Sequence, residues 1–205
     1  MFKSAQIFLT CIYLKQMPAT NFQNSSNAAQ VTAICKAGSC NNMEYMTITS
    51  GSFQHVDIPN MFALIKHDTH GYILFDTGYH SRFEELTAQF PYSIYATVTP
   101  VSIKKHETAV VQLKEKYGID ADQITHIIIS HFHADHICAL RDFPRAKYVY
   151  FKDAYDAVKP YLQSPFCAVL RAFIPELLPN DFEARSIAID KEQNNIPRKQ
   201  ILPDE

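Results

Sequence analysis

In "ITHIIISHFHADHICAL", residues 124–140, an apolar run gives way to three histidines and an aspartate, and this pattern gives the first indication of the fold. The short β-branched run is typical of a buried strand. Alternate side chains of an extended segment share a face, so His131, His133 and Asp135 would point the same way as the strand runs into a loop. A turn at that point can bring His136 round beside them.

These side chains form a set of candidate metal ligands. Neutral imidazole and carboxylate suit zinc and comparable divalent ions, and a pair of such ions can generate hydroxide near neutral pH. His131 and His133 would then hold a first ion and His136 a second. The alternative is a polar surface loop whose histidines are satisfied by water and backbone. Four candidate ligands within six residues, directly after a buried strand, favour the metal site.

The first half of the chain carries mainly strand signals. Strands are predicted in "IFLTCIYL" (7–14), "VTAICKAG" (31–38) and "MEYMTIT" (43–49). The stretch "NMFALIKHDTHGYILFDTG" (60–78) has two apolar runs around a polar connector, which is the pattern of a hairpin. The polar composition of residues 18–30 predicts a loop.

The second half alternates helix and strand. Apolar residues at spacings of three and four predict a helix from Ser102, which can cap its start, to Gly118, which can end it. Strands are predicted in "AKYVYFK" (146–152) and "ARSIAI" (184–189), with a helix between them that Pro160 disrupts. This order of elements predicts an α/β fold.

Composition narrows the class of protein. With 47% hydrophobic residues, 20% charged residues and a net charge of -2, the chain is neither a disordered segment nor a nucleic-acid binder. Its five cysteines are scattered, which fits free thiols in the cytoplasm, although Cys35 and Cys40 could pair. The N-terminal apolar run is too short to span a membrane. We therefore expect a cytoplasmic protein.

Three motifs together resemble a known family. "SHFHADH" (130–136) resembles the HxHxDH signature of the metallo-β-lactamase superfamily, and "YILFDTGYH" (72–80) looks like its strand ending in an Asp-Thr-Gly turn. "YGIDADQITHIIISHFHADH" (117–136) matches the helix, loop and strand that lead into the signature. From about residue 31 to residue 189, the arrangement is most similar to that of N-acyl homoserine lactonases and related lactone hydrolases.

The resemblance implies a two-zinc site. His131 and His133 would bind the first zinc ion, and Asp135 and His136 the second. Asp135 would also act in catalysis, by contacting the substrate or donating a proton to the leaving group. Asp76 would lie behind the ligands and fix their orientation.

The sequence departs from the family pattern after the signature. The superfamily completes its site with a histidine, a metal-bridging aspartate and a last histidine, yet no histidine follows His136. We therefore expect an incomplete αβ/βα sandwich, the first βα half with the start of the second, as a partial domain over residues 1–189 followed by a polar tail over 190–205. One face of its sheet should lack an apolar cover. "ICAL" (137–140) replaces the usual glycines, and Cys138 there is either apolar filling or a thiolate ligand.

The resemblance implies a metal-dependent hydrolase in which a metal-activated hydroxide attacks the carbonyl of a small-molecule lactone or ester, as in quorum quenching. The first alternative is a truncated or degenerate family member with weak or no metal binding and no catalysis. The second is another superfamily hydrolase, acting on a thioester, a β-lactam or a phosphodiester. We expect no nucleic-acid or membrane partner, and the uncovered sheet face allows a homodimer.

Overall fold

The computed structural model of the chain describes residues 29–46 and 48–190. These residues form a seven-stranded mixed sheet with helices between its strands. The strands are β1 (Ala29–Met43), β2 (His55–His67), β3 (Gly71–Phe75), β4 (Val101–Ser102), β5 (Ile124–Ile129), β6 (Lys147–Phe151) and β7 (Ser186–Ile189). Their order across the sheet is β4-β1-β2-β3-β5-β6-β7. The first four in this order pair antiparallel and the last four pair parallel, with β3 common to both parts.

Short helices connect the strands. The α-helices are α1 (Arg82–Thr87), α2 (Ser93–Val98), α3 (Ala109–Tyr117), α4 (Ala134–Ile137), α5 (Lys152–Asp156) and α6 (Pro165–Val169). Single 3-10 turns lie at Glu44–Met46, Lys105–Glu107, Ala121–Gln123, Leu140–Asp142, Lys159–Tyr161, Pro175–Leu177 and Glu183–Arg185. None of the described helices is long and apolar enough to cross a membrane.

The core lies on one face of the sheet. Leu64, Leu74, Ile127 and Tyr148 pair in register across four adjacent strands, and all are fully buried. They belong to one apolar cluster that also takes in side chains from the helices, among them Leu113, Ile137 and Tyr155. Burying such large side chains supplies the main driving force for this fold.

The opposite face of the sheet carries an apolar row that the described residues leave half-exposed. The row runs in register through Ile34, Ala63, Phe75, Ile128, Val149 and Ile187. Ile34, Phe75 and Ile187 are 41%, 40% and 41% exposed. Within residues 29–46 and 48–190, this row is thus partly exposed, and the lack of an apolar cover stays a prediction.

The parallel part of the sheet determines where the candidate site lies. Because β3 and β5 are parallel neighbours, their carboxyl ends meet at the same edge of the sheet. The residues after β3 and those after β5 therefore come together there. In open α/β sheets, bound ligands generally lie at this edge, outside the carboxyl ends of the strands. Since β2 runs antiparallel to β3, the first residues of β2 reach the same edge.

Several predicted elements are confirmed and two are wrong. The hairpin around 67–71, the strands at 147–151 and 186–189, and the end of a helix at Gly118 are present. The strand predicted at 43–49 instead contains a 3-10 turn, in which the Glu44 carboxylate accepts hydrogen bonds from the backbone and hydroxyl of Ser52. The helix predicted from Ser102 begins only at Ala109, because Ser102 pairs with Ser39 in the sheet.

The remaining predictions concern the two ends of the chain and the cysteines. The strand predicted at 7–14, nearly all of the loop at 18–30 and all of the tail after Asp190 lie outside the described residues. The division into a domain at 1–189 and a tail at 190–205 therefore stays a prediction. Cys35 and Cys40 are both free thiols, so the pairing that the sequence left open is not formed.

Candidate metal centre

Asp76 is the first side chain of the site, directly after β3. Its backbone has a left-handed φ of 56°, and its amide donates to the carbonyl of Ile128 at 2.8 Å, which extends the β3–β5 contact beyond the strand. Its Oδ1 accepts from the backbone N–H of Ser130 at 2.9 Å and its Oδ2 from the Ser130 hydroxyl at 2.7 Å. Through these two hydrogen bonds, the Asp76 carboxylate fixes the position of Ser130, the first residue after β5.

The rest of the Asp-Thr-Gly turn holds the short helix α4. The amide and the hydroxyl of Thr77 both donate to the carbonyl of His136 at 2.9 Å, and the Thr77 hydroxyl accepts from the amide of Ala139 at 3.1 Å. Gly78 has φ 69°, and a Cβ at this position would lie 2.2 Å from the Cβ of Ala37. Glycine is therefore required by both conformation and space.

The predicted ligands lie together at this edge of the sheet. His133 has extended backbone and precedes α4, which carries Asp135 and His136. The ring of His131 lies 4.4 Å from that of His133 and 4.0 Å from that of His136, measured between centroids. His136 Nδ1 donates to Asp76 Oδ2 at 2.7 Å, and its Nε2 lies 3.1 Å from Asp135 Oδ2. A helical turn, rather than a continued strand, brings the last two side chains to the first two.

Burial and neighbouring charges shift the pKa values of these groups in opposite directions. Burial, reinforced by the other histidines, lowers the pKa of His131 to about 2, and burial also lowers the pKa of His133. For His136, burial opposes the charged form, yet the carboxylates of Asp135 and Asp76 raise its pKa well above the ordinary value. Burial would raise the pKa of Asp135, but His136 holds it below its usual range. The site therefore combines two neutral imidazoles, those of His131 and His133, with a charged His136 that lies between two carboxylates.

The donor chemistry of the site fits a divalent metal ion. It offers three imidazoles and a carboxylate, and Asp76 binds the Nδ1 of His136, as carboxylates commonly do for metal-ligating histidines. As the side chains stand, however, no group of three or more such residues within 29–46 and 48–190 is arranged to hold an ion. His136 and Asp135 are instead engaged with each other.

Cys138, which the sequence left as apolar filling or a ligand, and the neighbouring His80 both have structural contacts. The Cys138 side chain is fully buried, its thiol contacts the carbonyl of His80 at 3.5 Å, and burial raises its pKa to about 12. Its surroundings are thus those of apolar filling. His80 lies at the edge of the site, 3.5 Å from the carboxylate of Asp142, which also binds Arg82.

Sequence reasoning missed two kinds of residue around Asp135. Asn60 of β2 is buried, and its side-chain amide donates to Asp135 Oδ2 at 2.7 Å. Tyr79 and Tyr95 are buried close by and bonded to each other, and burial raises the pKa of both phenols. Counting the hairpin register back from Asp76 would have placed Asn60 at this edge, since β2 and β3 are antiparallel.

The parallel edge formed by β3 and β5 brings the histidines and their carboxylate anchor, Asp76, together. The model of the metallo-beta-lactamase superfamily matches residues 57–150, which contain this edge. Those residues therefore fit the metallo-β-lactamase superfamily, and the mixed sheet with its helices is consistent with that fold. No curated protein matches the chain significantly.

Solved structures show the same fold at low sequence identity. A mutant of AiiA from B. thuringiensis, with N-decanoyl-L-homoserine bound at its active site, is 20% identical over 77% of this chain and 58% of that one, at TM-score 0.58. An N-acyl homoserine lactone hydrolase with N-hexanoyl-L-homoserine at its catalytic metal centre is 19% identical over the same shares, also at TM-score 0.58. A probable metal-dependent hydrolase from Staphylococcus aureus is 13% identical over 82% of this chain and 61% of that one, at TM-score 0.56. The chain thus spans about three fifths of the length of these proteins.

Proposed function

We propose that the chain carries part of a zinc-dependent hydrolase site that acts on a lactone or ester. The observation that carries this proposal is the convergence of His131, His133, Asp135 and His136 at one sheet edge, with His136 anchored by Asp76. The first two histidines would hold one zinc ion, and Asp135 with His136 would hold another. Zinc bound there would supply Lewis acidity and a hydroxide nucleophile near neutral pH.

The chain's own residues have distinct tasks in this proposal. Asp76 holds the Nδ1 proton of His136 and so directs its Nε2 toward Asp135. Asp135 presents a carboxylate at the reacting edge, where it would contact the substrate or pass a proton to the leaving oxygen. The low pKa of His131 keeps its imidazole neutral and able to act as a ligand near neutral pH.

The substrate that we propose is a small-molecule lactone or ester. The likeness in fold to structures that hold N-acyl homoserine products supports the lactone class, and quorum quenching is the setting that such a substrate would imply. Thioester, β-lactam and phosphodiester hydrolysis use the same signature and remain alternatives. The cytoplasmic location and the homodimer stay predictions.

A second candidate is a degenerate family member that binds zinc weakly or not at all. One observation favours it: within residues 29–46 and 48–190, the side chains do not form a ready metal site. In that case the histidine cluster would persist through its hydrogen bonds to Asp76 and the Asp135 carboxylate alone.

Zinc content per chain, measured by elemental analysis after purification with zinc and dialysis, tests the two candidates. The proposed hydrolase retains one or two zinc ions per folded chain, and the double variant His131→Ala/His133→Ala loses them. A lactone-opening assay on the loaded protein follows. A folded chain that retains no zinc and opens no lactone or ester would overturn the proposal in favour of the degenerate member.

A further inference from the structure

Asn60 is a buried amide on an otherwise apolar strand face. It alternates with Phe62 and Leu64 on β2, and it is 8% exposed. Its Nδ2 donates to Asp135 Oδ2 at 2.7 Å, across 75 residues of sequence. Its Oδ1 is buried and finds no hydrogen-bond partner among the described residues.

This arrangement is costly for a residue that serves packing alone. An unpaired buried acceptor loses its hydration without compensation, whereas a leucine of similar size would satisfy the same apolar surroundings. Buried polar groups left partly unsatisfied in folded proteins call for an explanation. Here the one contact that the amide makes is to the reactive carboxylate, which points to a task at Asp135.

The Oδ2 atom of Asp135 is contacted by two side chains, Asn60 and His136. Asp135 Oδ2 lies 2.7 Å from the Asn60 amide and 3.1 Å from His136 Nε2. Whenever Nε2 of His136 is used for coordination, the Asn60 amide still fixes that oxygen. The amide comes from β2, a strand in the sheet interior, whereas Asp135 stands on the four-residue helix α4. The more rigid element thus orients the less rigid one.

We propose that Asn60 is a positioning residue that holds the Asp135 carboxylate in the orientation needed for metal binding and proton transfer. The expected effect on zinc binding and proton transfer rests on the proposed function, whereas the hydrogen bond between Asn60 and Asp135 is observed independently of it. Asn60 acts through Asp135 and touches neither substrate nor metal. Its effect should therefore disappear when the Asp135 carboxylate is removed.

A double-mutant cycle on the full chain tests this coupling. Asn60→Leu, Asp135→Ala and the double variant are compared with the parent by calorimetric titration with zinc and by thermal unfolding of the zinc-free protein. Asn60→Leu should weaken zinc binding about tenfold in the parent and have no further effect in the Asp135→Ala background. Without zinc, the sum of the two single losses in melting temperature should exceed the loss in the double variant by about 2 °C or more.

Asn42→Leu is the matched control, because the Asn42 amide of β1 contacts Thr99 at 3.5 Å and lies outside the site. It should leave zinc binding unchanged. If Asn60→Leu does not fold, Asn60→Ala, which requires no extra space, replaces it. Additive effects in both readouts would overturn the inference and leave Asn60 a packing residue.

The zinc-free readout separates this inference from the proposed function. A parent chain that binds no zinc, while its melting temperatures still show coupling, refutes the proposed function and supports the positioning contact. A parent chain that binds zinc, with additive effects of Asn60 and Asp135, supports the proposed function and refutes the positioning role.

Discussion

Two histidine clusters of this protein have similar ring spacing and different surroundings. In the first, at the end of β5, neighbouring ring centroids are 4.4 and 4.0 Å apart, and in the second, at the β2–β3 hairpin, they are 4.7 and 5.5 Å apart. We call them the β5-end cluster (His131, His133, His136) and the hairpin cluster (His67, His70, His126). Proximity of imidazoles alone therefore does not distinguish a candidate metal centre from a turn.

The two clusters differ in what holds their rings. In the β5-end cluster, His136 is bonded to the carboxylates of Asp76 and Asp135. In the hairpin cluster, the Nδ1 of His67 accepts hydrogen bonds from the amides of Thr69 and His70, so that ring caps its own turn. The candidate metal centre thus differs from the hairpin in its anchoring carboxylate, Asp76, which follows a neighbouring strand, and not in its number of histidines.

The largest expected difference between the clusters concerns their aspartates. Asp76→Ala should lower the free energy of unfolding by about 3 kcal/mol, because it leaves the Ser130 donors and His136 without their buried partner. Asp68→Ala, at an exposed position of the hairpin, should change it by less than about 0.5 kcal/mol. Urea unfolding of both variants measures the difference, and equal losses would mean that Asp76 does not anchor its cluster.

The second difference concerns zinc. At a free zinc concentration about 100 times the dissociation constant, the parent should gain about 2.7 kcal/mol, or about 5 to 10 °C in melting temperature. His131→Ala/His133→Ala should lose this gain, whereas His67→Ala/His70→Ala should keep it. Thermal unfolding with and without zinc is the measurement. If the zinc-dependent rise in melting temperature were lost only in His67→Ala/His70→Ala, zinc would bind at the hairpin cluster and the proposal would be wrong.

The sequence predicted the residues of the β5-end cluster but not Asn60, which binds Asp135 beside it. The apolar run before the histidines predicted that His131, His133 and Asp135 lie together, and the resemblance to the superfamily implied Asp76 behind them. In the structure, the parallel pairing of β3 with β5 brings all four to one edge. Asn60 escaped notice because a lone asparagine after a proline has no signal of its own. It acquires a role only through the register of β2 against β3.

Errors in the fold came from local signals that tertiary contacts override. Ser102 has the chemistry of a helix cap, yet pairing with Ser39 on β1 places it in the sheet. The β-branched and aromatic residues at 43–49 favour a strand, but Glu44 closes a turn by accepting hydrogen bonds from Ser52. Neither partner can be inferred from the segment itself, since both depend on chain that lies elsewhere.

A smaller difference is expected between the hydroxyls beside the two clusters. Ser130→Ala removes a donor to the Asp76 carboxylate and should cost about 1.5 to 3 kcal/mol of stability, since bonds to charged groups are the stronger ones. Thr125→Val removes donation to the carbonyls of His70 and Tyr72 and should cost about 0.5 to 1.5 kcal/mol. Only the first variant should also weaken zinc binding. If both variants left the zinc titration unchanged, the serine would have no part in orienting the ligands.

The smallest effect concerns acid and the hairpin cluster. Partial burial, followed by the positive charges that His70, Lys147 and His67 can carry, lowers the pKa of His126 in the folded chain. The folded state then favours the neutral ring, so its contribution to stability is present above the unfolded pKa of about 6.5 and is lost as pH falls through it. His126→Gln should therefore lose less stability than the parent between pH 7 and pH 5. His106→Gln, at an exposed position, is the control for the substitution itself. Urea unfolding at both pH values measures this. The charges that shift the pKa of His126 are those of His70, Lys147 and His67, and no carboxylate offsets burial there. A decline in His126→Gln as steep as the parent's would therefore remove the electrostatic distinction between the two clusters.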